Sequence, residues 1–94
     1  MFYVIHCIDK NGMVDRRLEL YDQHKSYLAS ADIKTAVSGP LVEEDGETMI
    51  GSMFIVEADS RSAVEAFNRD DPFNKAGLWA TVNIHAFNKR VDNR

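Results

Sequence analysis

Two side chains in this sequence, His24 and Asp71, could form a general acid–base pair although they lie far apart along the chain. His24 interrupts the otherwise apolar pattern of residues 14–31, and Asp71 stands directly before Pro72. A carboxylate in contact with an imidazole fixes its tautomer and favours its protonated form, and such a pair can transfer protons. The alternatives are that His24 is a solvent-facing or core-edge histidine and that Asp71 is a turn residue capping a helix end.

Few other residues suggest catalysis, a metal site or a cofactor. Cys7 lies in an apolar run and is interpreted as a small buried hydrophobe, because a nucleophilic cysteine needs an exposed electropositive setting. His6 and His85 could approach each other on neighbouring strands, but no third zinc ligand is in view. No serine lies in a nucleophile-elbow pattern, and no glycines form a phosphate loop or a dinucleotide fingerprint. We therefore expect no metal and no cofactor.

The composition is that of one globular domain. The chain has 94 residues, of which 45% are hydrophobic and 28% charged, and this length leaves room for one core. Its net charge is −4, so it lacks the basic stripe that binding to nucleic acid would require. The basic residues Lys89, Arg90 and Arg94 are interpreted as part of a solvated tail. We expect no nucleic-acid partner.

The single cysteine excludes an intrachain disulfide. No signal peptide is recognised before the first predicted strand, and no apolar run approaches the length of a membrane span. We therefore expect a cytoplasmic protein with no membrane partner.

Four segments have the composition of β-strands. Residues 2–8 form a continuous β-branched and aromatic run, and residues 79–87 alternate between two faces. Residues 33–42 contain a Gly-Pro dipeptide, which predicts a bulge or an edge strand because proline donates no ladder hydrogen bond. Residues 48–58 return after an acidic hairpin turn that contains Asp-Gly.

Two segments have helical spacing. Between residues 14 and 31 the apolar side chains recur with a helical period, at Val14, Leu18, Tyr21, Leu28 and Ala31. The second helix begins at one of two competing caps, in residues 59–60 or at Ser62. It ends at or before Asp71, because a residue that precedes proline leaves the helical region.

The order β-α-β-β-α-β predicts a ferredoxin-like α+β fold, a four-stranded antiparallel sheet with two helices on one face. The candidates for the opposite face are apolar: Phe2 or Tyr3, Met53, Trp79 and Phe87. Such a face is too apolar to leave in water, and a second copy packing sheet to sheet would cover it. We therefore expect a homodimer with two-fold symmetry or a higher homo-oligomer.

This topology predicts a pocket around His24 and Asp71, because the loop after the second helix can approach the middle of the first. Pro72 would end the helix and direct Asp71 toward His24. Further residues are expected to bind a small molecule there: Tyr21 beside the histidine, Gly39, Pro40 and Ser52 where strand irregularities expose backbone donors, and Phe73 and Leu78 as walls. Tyr21 could instead be a core aromatic residue.

Several stretches of the chain, taken together, resemble one family of small bacterial proteins. They are FYVIHCIDK, RRLELYDQHKSYL, TAVSGPL, GSMFIVEADSRSAVEAFNRDDPFNKAGLW and AFN near the end. They cover nearly the whole chain, and in this order and spacing they resemble the YciI-like (YCII-related) family. The resemblance implies a single domain over residues 1–94 and a dimeric α+β barrel built from ferredoxin-like subunits.

The resemblance also implies a site. Members of the family carry a His-Asp pair in a pocket, which corresponds to His24 and Asp71 in this sequence. One branch of the family removes hydrogen chloride from a chlorinated hydroxyhydroquinone without a cofactor. The family often has Arg-Pro-x-His in the first helix, whereas this chain has Tyr21-Asp22-Gln23-His24. At that position the chain offers no arginine to bind an anion beside the histidine.

Three classes of function stay open from the sequence. The first is a cofactor-free lyase or isomerase-like enzyme, in which His24 transfers a proton of a small aromatic or enol-like molecule and Asp71 orients the imidazole. The second is a dimeric module that binds a small ligand or serves as an accessory subunit. The third is cofactor-independent oxygenation, another chemistry of the dimeric barrel superfamily. An open pocket with His24 at its floor would favour the first class.

Overall fold

Four strands and three helices make up the fold. The computed structural model describes all 94 residues. Its elements are β1 (Phe2–Asp9), α1 (Val14–Ser30), β2 (Lys34–Val42), β3 (Met49–Glu57), α2 (Arg61–Arg69), α3 (Pro72–Lys75) and β4 (Trp79–Phe87). The strands pair antiparallel in the order β2-β3-β1-β4. The predicted ferredoxin-like α+β fold is confirmed, and α3 is the only element that was not predicted.

The core lies between one face of the sheet and the helices. Alternate residues of β1, namely Tyr3, Ile5 and Cys7, are buried on this face. Side chains from all three helices pack against them in one cluster, including Leu20, Val64 and Phe73. Full burial of a side chain of this size stabilises a fold by about 1.5–3 kcal/mol. No helix is both long enough and apolar enough to cross a bilayer.

Helix α1 buries a face that overlaps only partly with the one predicted: Leu28 and Ala31 pack against the core as expected, but Leu18 and Tyr21 do not. Its buried residues are Arg17, Leu20 and His24, whereas Leu18 and Tyr21 of the predicted apolar stripe are 57% and 51% exposed. The buried Arg17 lies one residue before the predicted Leu18, and one residue corresponds to a rotation of about 100° around the helix axis. The prediction for Leu18 and Tyr21 was wrong because a charged residue occupies a buried position, where arginine is rarely found unless it is paired. The rotation places Arg17 and His24 on the same side of α1.

Strand β2 is an edge strand, as its Gly-Pro dipeptide suggested. It runs without a break through Gly39 and Pro40. The register shifts instead between Thr35 and Val37 and again between residues 41 and 42. The alternative of a bulge at the dipeptide is therefore wrong. Proline is tolerated here because a residue at an edge can leave its missing N–H on the unpaired side.

Trp79 lies in the core rather than on the open face of the sheet, where its alternation with the following residues placed it. Its ring packs edge-on against Phe54 and against the Phe73 ring of α3. The cause is a local irregularity between β1 and β4, where the register shifts just before Asp9 and Trp79 becomes the partner of Asp9. Such a bulge changes the face to which a side chain points.

The face of the sheet that carries no helix remains partly apolar. Phe2, Met53 and Phe87 lie on it, whereas Tyr3, the alternative to Phe2, points into the core. Phe87 is 38% exposed and pairs in register with Phe2. The chain after β4 is exposed and crosses part of this side, since the Lys89 ammonium lies 4.9 Å from the centre of the Phe2 ring.

The connection between α2 and β4 contains the short helix α3. The Ser60 hydroxyl accepts a hydrogen bond from Ala63 N at 3.2 Å, so Ser60 is the N-cap of α2. Of the two predicted caps, the one in residues 59–60 is therefore correct and Ser62 is not. Helix α2 ends before Asp71, as predicted. Helix α3 begins at Pro72, and proline suits this position because the first N–H of a helix has no partner within it.

Cys7 is expected to be unreactive in the folded protein. Its side chain is fully buried, and burial raises the pKa of the thiol from 9.0 to about 12. The raised pKa keeps the nucleophilic thiolate scarce near neutral pH. We predict that iodoacetamide leaves the native protein unmodified and labels it once in denaturant, as read from the intact mass. Fast labelling under native conditions would show that the thiol is accessible.

Gly51 is required because β1 passes too close to it for a side chain. A Cβ at this position would overlap the backbone carbonyl oxygen of Cys7. The two strands cannot separate locally, because β1 and β3 stay in register from Phe2 to Ile8. We expect Gly51→Ala to lower the free energy of unfolding by about 1–3 kcal/mol.

Urea denaturation of two glycine variants measures this effect. Gly39→Ala is the matched control, because an added Cβ there meets nothing within 4 Å. The free energy of unfolding of Gly39→Ala should not fall below that of the wild type. If Gly51→Ala were as stable as Gly39→Ala, the close approach of β1 and β3 would not constrain the sequence.

Candidate active site

The structure places His24 and Asp71 in direct contact. His24 Nδ1 lies 2.9 Å from Asp71 Oδ1. The two side chains are 11% and 1% exposed, so their contact is shielded from water. His24 Nε2 has no hydrogen-bond partner in the chain and is not among the fully buried unpaired atoms. One nitrogen of the imidazole is thus held by the carboxylate, and the other is free to meet a ligand.

Asp71 owes its position to Pro72. It is extended, with φ −63° and ψ 133°, because a residue before proline avoids the helical region. In this conformation its Oδ1 also accepts a hydrogen bond from Phe73 N at 2.8 Å, which makes Asp71 the N-cap of α3. Helix capping and the contact with His24 therefore coexist on one oxygen. The other oxygen, Oδ2, is buried without a partner in the chain.

Two aromatic rings hold the imidazole in place. The Phe73 ring stacks on that of His24, with centroids 4.0 Å apart and planes at 12°. The Phe54 ring meets it edge-on at 5.9 Å. Packing on two sides and a hydrogen bond to Nδ1 restrict the rotation of His24. Such restriction fixes the direction of Nε2 before any ligand arrives.

A cavity of about 320 Å³ opens beside His24, between α1 and strands β2 and β3. This volume is near the lower end of the range for small-molecule sites, which is about 300–1,000 Å³. Six of the predicted site residues line the cavity: Tyr21, His24, Gly39, Pro40, Ser52 and Phe73. Several of them are exposed to solvent, so the cavity is open rather than sealed. Its size suits a ligand of one ring.

Two of the predicted site residues do not line the cavity. Asp71 lies behind the imidazole and contacts it from the side of α3. Leu78, which was predicted to be a wall, is fully buried in the core. That prediction is wrong because the chain turns after α3, where Gly77 has a φ of 71°. The turn directs Leu78 inward and leaves Phe73 as the wall.

Arg17 is a cavity residue that was missed from the sequence. It is 4% exposed, and its Nε and Nη2 donate to the two carboxylate oxygens of Asp9 at 2.9 and 3.0 Å. Nη2 also donates to Ser52 Oγ at 2.6 Å. Seven residues are about two helical turns, so its spacing from His24 was an available signal. The signal was missed because apolar residues alone were used to define the buried face.

Other parts of the molecule offer less for acid–base chemistry. His6 and His85 lie on the adjacent strands β1 and β4. No group of three or more His, Cys, Asp or Glu side chains is arranged to hold a metal ion. A larger cleft of about 740 Å³ lies between α1 and α2, but neither histidine nor cysteine lines it. The cavity at His24 is therefore the strongest candidate for an active site.

Comparisons of the sequence with known proteins agree on one family. The sequence model of the YCII-related domain matches residues 1–88. Protein YciI of Escherichia coli is 28% identical over 96 residues, covering 95% of this chain and 98% of that protein. An uncharacterized protein of Haemophilus influenzae is 27% identical, with the same coverage.

A solved structure is similar over nearly the whole fold. The 5-chloro-2-hydroxyhydroquinone dehydrochlorinase TftG of Burkholderia phenoliruptrix, in complex with 2,5-dihydroxybenzoquinone, has a TM-score of 0.85 and 34% sequence identity. The alignment covers 94% of each chain. The crystal structure of At3g17210 from Arabidopsis thaliana has a TM-score of 0.54 at 15% identity, and this likeness concerns the fold alone.

Proposed function

The chain belongs to the YCII-related family, and from that premise we propose that it is a lyase-type enzyme acting on a small hydroxylated aromatic or enol-like molecule. In this proposal the His24–Asp71 pair transfers the protons, and no cofactor takes part. The observation that carries the proposal is the 2.9 Å contact between His24 Nδ1 and Asp71 Oδ1 beside an open cavity.

The proposed role of Asp71 follows from the direction of this hydrogen bond. A carboxylate at Nδ1 accepts a hydrogen bond from the N–H of that nitrogen, which leaves the lone pair of a neutral imidazole on Nε2. Nε2 then acts as the base toward a hydroxyl group in the cavity. When it takes the proton, the carboxylate of Asp71 stabilises the imidazolium until the proton is passed on.

The substrate class is supported by the 34% identical dehydrochlorinase. For a chlorinated trihydroxybenzene, a hydroxyl proton moves by way of His24 Nε2 to the ring carbon that bears chlorine. The carbon–chlorine bond then breaks with both electrons on the departing chloride, and a second hydroxyl loses its proton. The products are hydrogen chloride and a hydroxybenzoquinone. This elimination balances without an oxidant or a reductant.

The assembly we propose is a homodimer or a higher homo-oligomer of a single domain spanning residues 1–94. The apolar side chains of Phe2, Met53 and Phe87 on the face without helices support this proposal. A second copy that packs sheet to sheet would remove these side chains from water. The cavity at His24 lies on the opposite side of the sheet, so the two copies would leave both cavities open.

A second candidate function is a non-catalytic module that holds a small ligand. The double role of Asp71 Oδ1 favours it, because this atom would cap α3 and hold His24 whether or not chemistry occurs. Oxygenation without a cofactor is the third possibility, and it differs from the first in requiring O₂ for product formation. The open cavity at His24 favours the lyase.

Proton exchange at a ring carbon distinguishes the three functions without needing chlorine. Hydroxyhydroquinone is incubated with the protein in D₂O under anaerobic conditions, and loss of the ring C–H signals is followed by proton NMR. We expect exchange at least about 100-fold faster than in buffer, as positioned acid–base groups provide. Binding without faster exchange would favour the ligand module. A product formed only when O₂ is admitted would favour the oxygenase.

A further inference from the structure

The charges around the His24 cavity differ from those of the protein as a whole. The chain has 15 acidic and 11 basic residues, and its net charge is −4. The only charged side chains that line this cavity besides His24 are those of Arg17 and Lys25, and no carboxylate does so. The larger cleft between α1 and α2 has four acidic side chains and one lysine in its lining. The lining of the His24 cavity thus presents cationic groups and no carboxylate, whereas Asp9 and Asp71 pair with Arg17 and His24 from outside the lining.

Arg17 has one donor group left for a ligand. Its Nε and Nη2 are occupied by Asp9 and Ser52. Its Nη1 has no hydrogen-bond partner in the chain and is not among the fully buried unpaired atoms. Because two sides of the guanidinium are held, the direction of Nη1 is fixed, and a preorganised donor binds an oxyanion with little reorganisation.

Arg17 and His24 contact the same aromatic ring. The guanidinium carbon of Arg17 lies 4.7 Å from the centre of Phe73, on which His24 also stacks. Both side chains project from one face of α1 into one cavity. Arg17 and His24 therefore contact one ring and line one cavity.

We propose that the ligand of this cavity is an anion and that Arg17 Nη1 binds its negatively charged oxygen. The inference rests on the proposed function and deepens it, because a hydroxylated ring becomes an oxyanion when His24 removes its proton. A buried cation beside that oxygen favours the ionised form. Lys25 adds positive charge at the same cavity.

The test removes the donor without changing the charge of the molecule. Arg17→Gln combined with Asp9→Asn replaces both members of the buried ion pair by amides, so the net charge stays the same and no carboxylate is left unpaired. Arg17→Lys keeps the positive charge but replaces the planar guanidinium, whose donors point in fixed directions, by a single ammonium group. Arg16→Gln is the control, because Arg16 is exposed, pairs with Glu19 and does not line the cavity.

Calorimetry then compares two ring ligands on each variant. 2,5-Dihydroxybenzoquinone is the anion near neutral pH, and hydroquinone is its neutral counterpart. We expect the wild type to prefer the anion, and the double variant to raise the Kd of the anion by about 10- to 100-fold. Arg17→Lys should weaken anion binding too, and Arg16→Gln should not. The Kd of hydroquinone should change by less than about twofold in every variant.

Equal anion binding by the wild type and either Arg17 variant would overturn the inference. So would a wild type that binds hydroquinone as tightly as the anion. Both readouts are independent of turnover, which separates this inference from the proposed function. Anion binding that depends on Arg17, together with an absence of ring exchange, would remove the lyase proposal and leave the anion site in place.

Discussion

Replacing His24 with asparagine is expected to lower turnover by about 100- to 10,000-fold. The amide cannot take up a proton near neutral pH, so the base of the proposed reaction is lost. The ligand should still bind, because Arg17 and the cavity walls stay in place. The measurements are the rate of ring-carbon exchange, the Kd of 2,5-dihydroxybenzoquinone and a thermal unfolding curve for each protein. His85→Asn is the control, since His85 lies on β4 on the face without helices and does not line the cavity, and the oligomeric state of this variant is compared with that of the wild type.

Asp71→Asn tests the same pair from its other side. The side-chain oxygen of asparagine can take the place of Oδ1, cap α3 at Phe73 N and still accept a hydrogen bond from His24 Nδ1, but it carries no negative charge. The neutral amide therefore no longer stabilises the imidazolium that forms when Nε2 takes up a proton. We expect activity to fall as in His24→Asn while the fold persists. Full activity in both variants would leave the pair with a structural role only.

Replacing Arg17 alone with glutamine is expected to destabilise the protein by about 3–5 kcal/mol. Arg17 and Asp9 are each 5% exposed at their side chains and are joined by two hydrogen bonds. Removing only the cation leaves the carboxylate of Asp9 buried without its partner, and a buried unpaired charge is costly. The free energy of unfolding from urea denaturation, measured at one pH for all variants, gives the size of the loss.

Two controls identify the cause of this loss. Arg16→Gln removes the same charge from an exposed position and should change stability by less than about 1 kcal/mol. Arg17→Gln with Asp9→Asn should recover much of the lost stability, because neither charge is then left unpaired. A single variant as stable as the wild type would mean that Asp9 is well solvated without Arg17. No recovery in the double variant would assign the loss to packing on Phe73 instead.

The fold could be predicted from the sequence because its elements have distinct periods. The continuous run of β1, the alternation of β4 and the Gly-Pro dipeptide of β2 each carry a local signal for a strand. The restriction that Pro72 imposes on Asp71 is equally local, so the end of α2 was predicted correctly. These features depend on neighbouring residues and need no knowledge of tertiary contacts.

The errors concern features that only tertiary packing decides. The face of α1 was assigned from its apolar residues, yet Arg17 is buried because Asp9, at the end of β1, neutralises it. Trp79 was assigned by strict alternation, which one register shift beside Asp9 breaks. The position of Leu78 depended on a helix of four residues that has no periodic pattern of its own. Two of these errors involve a partner that lies in another element of the fold. The third involves a helix that is too short to be recognised from its pattern.

Part of the candidate active site could also be predicted from the sequence. Both His24 and Asp71 could be selected from their types, and the topology indicated that their elements approach each other. The distance between them, the stacking on Phe73 and the free donor of Arg17 depend on tertiary packing, which no local pattern in the sequence reveals. An ion pair inside the core leaves little trace in an apolar pattern, so the cationic character of the cavity was not predicted.

The release of chloride from 5-chloro-2-hydroxyhydroquinone tests the central claim most directly. Chloride is followed with an ion-selective electrode and the quinone by its visible absorbance, under anaerobic conditions, for the wild type, His24→Asn and His85→Asn. The proposed function predicts one chloride and one hydroxybenzoquinone per substrate consumed by the wild type and by His85→Asn, with the rate lost in His24→Asn. A wild type no faster than buffer, or a His24→Asn variant as fast as the wild type, would contradict it.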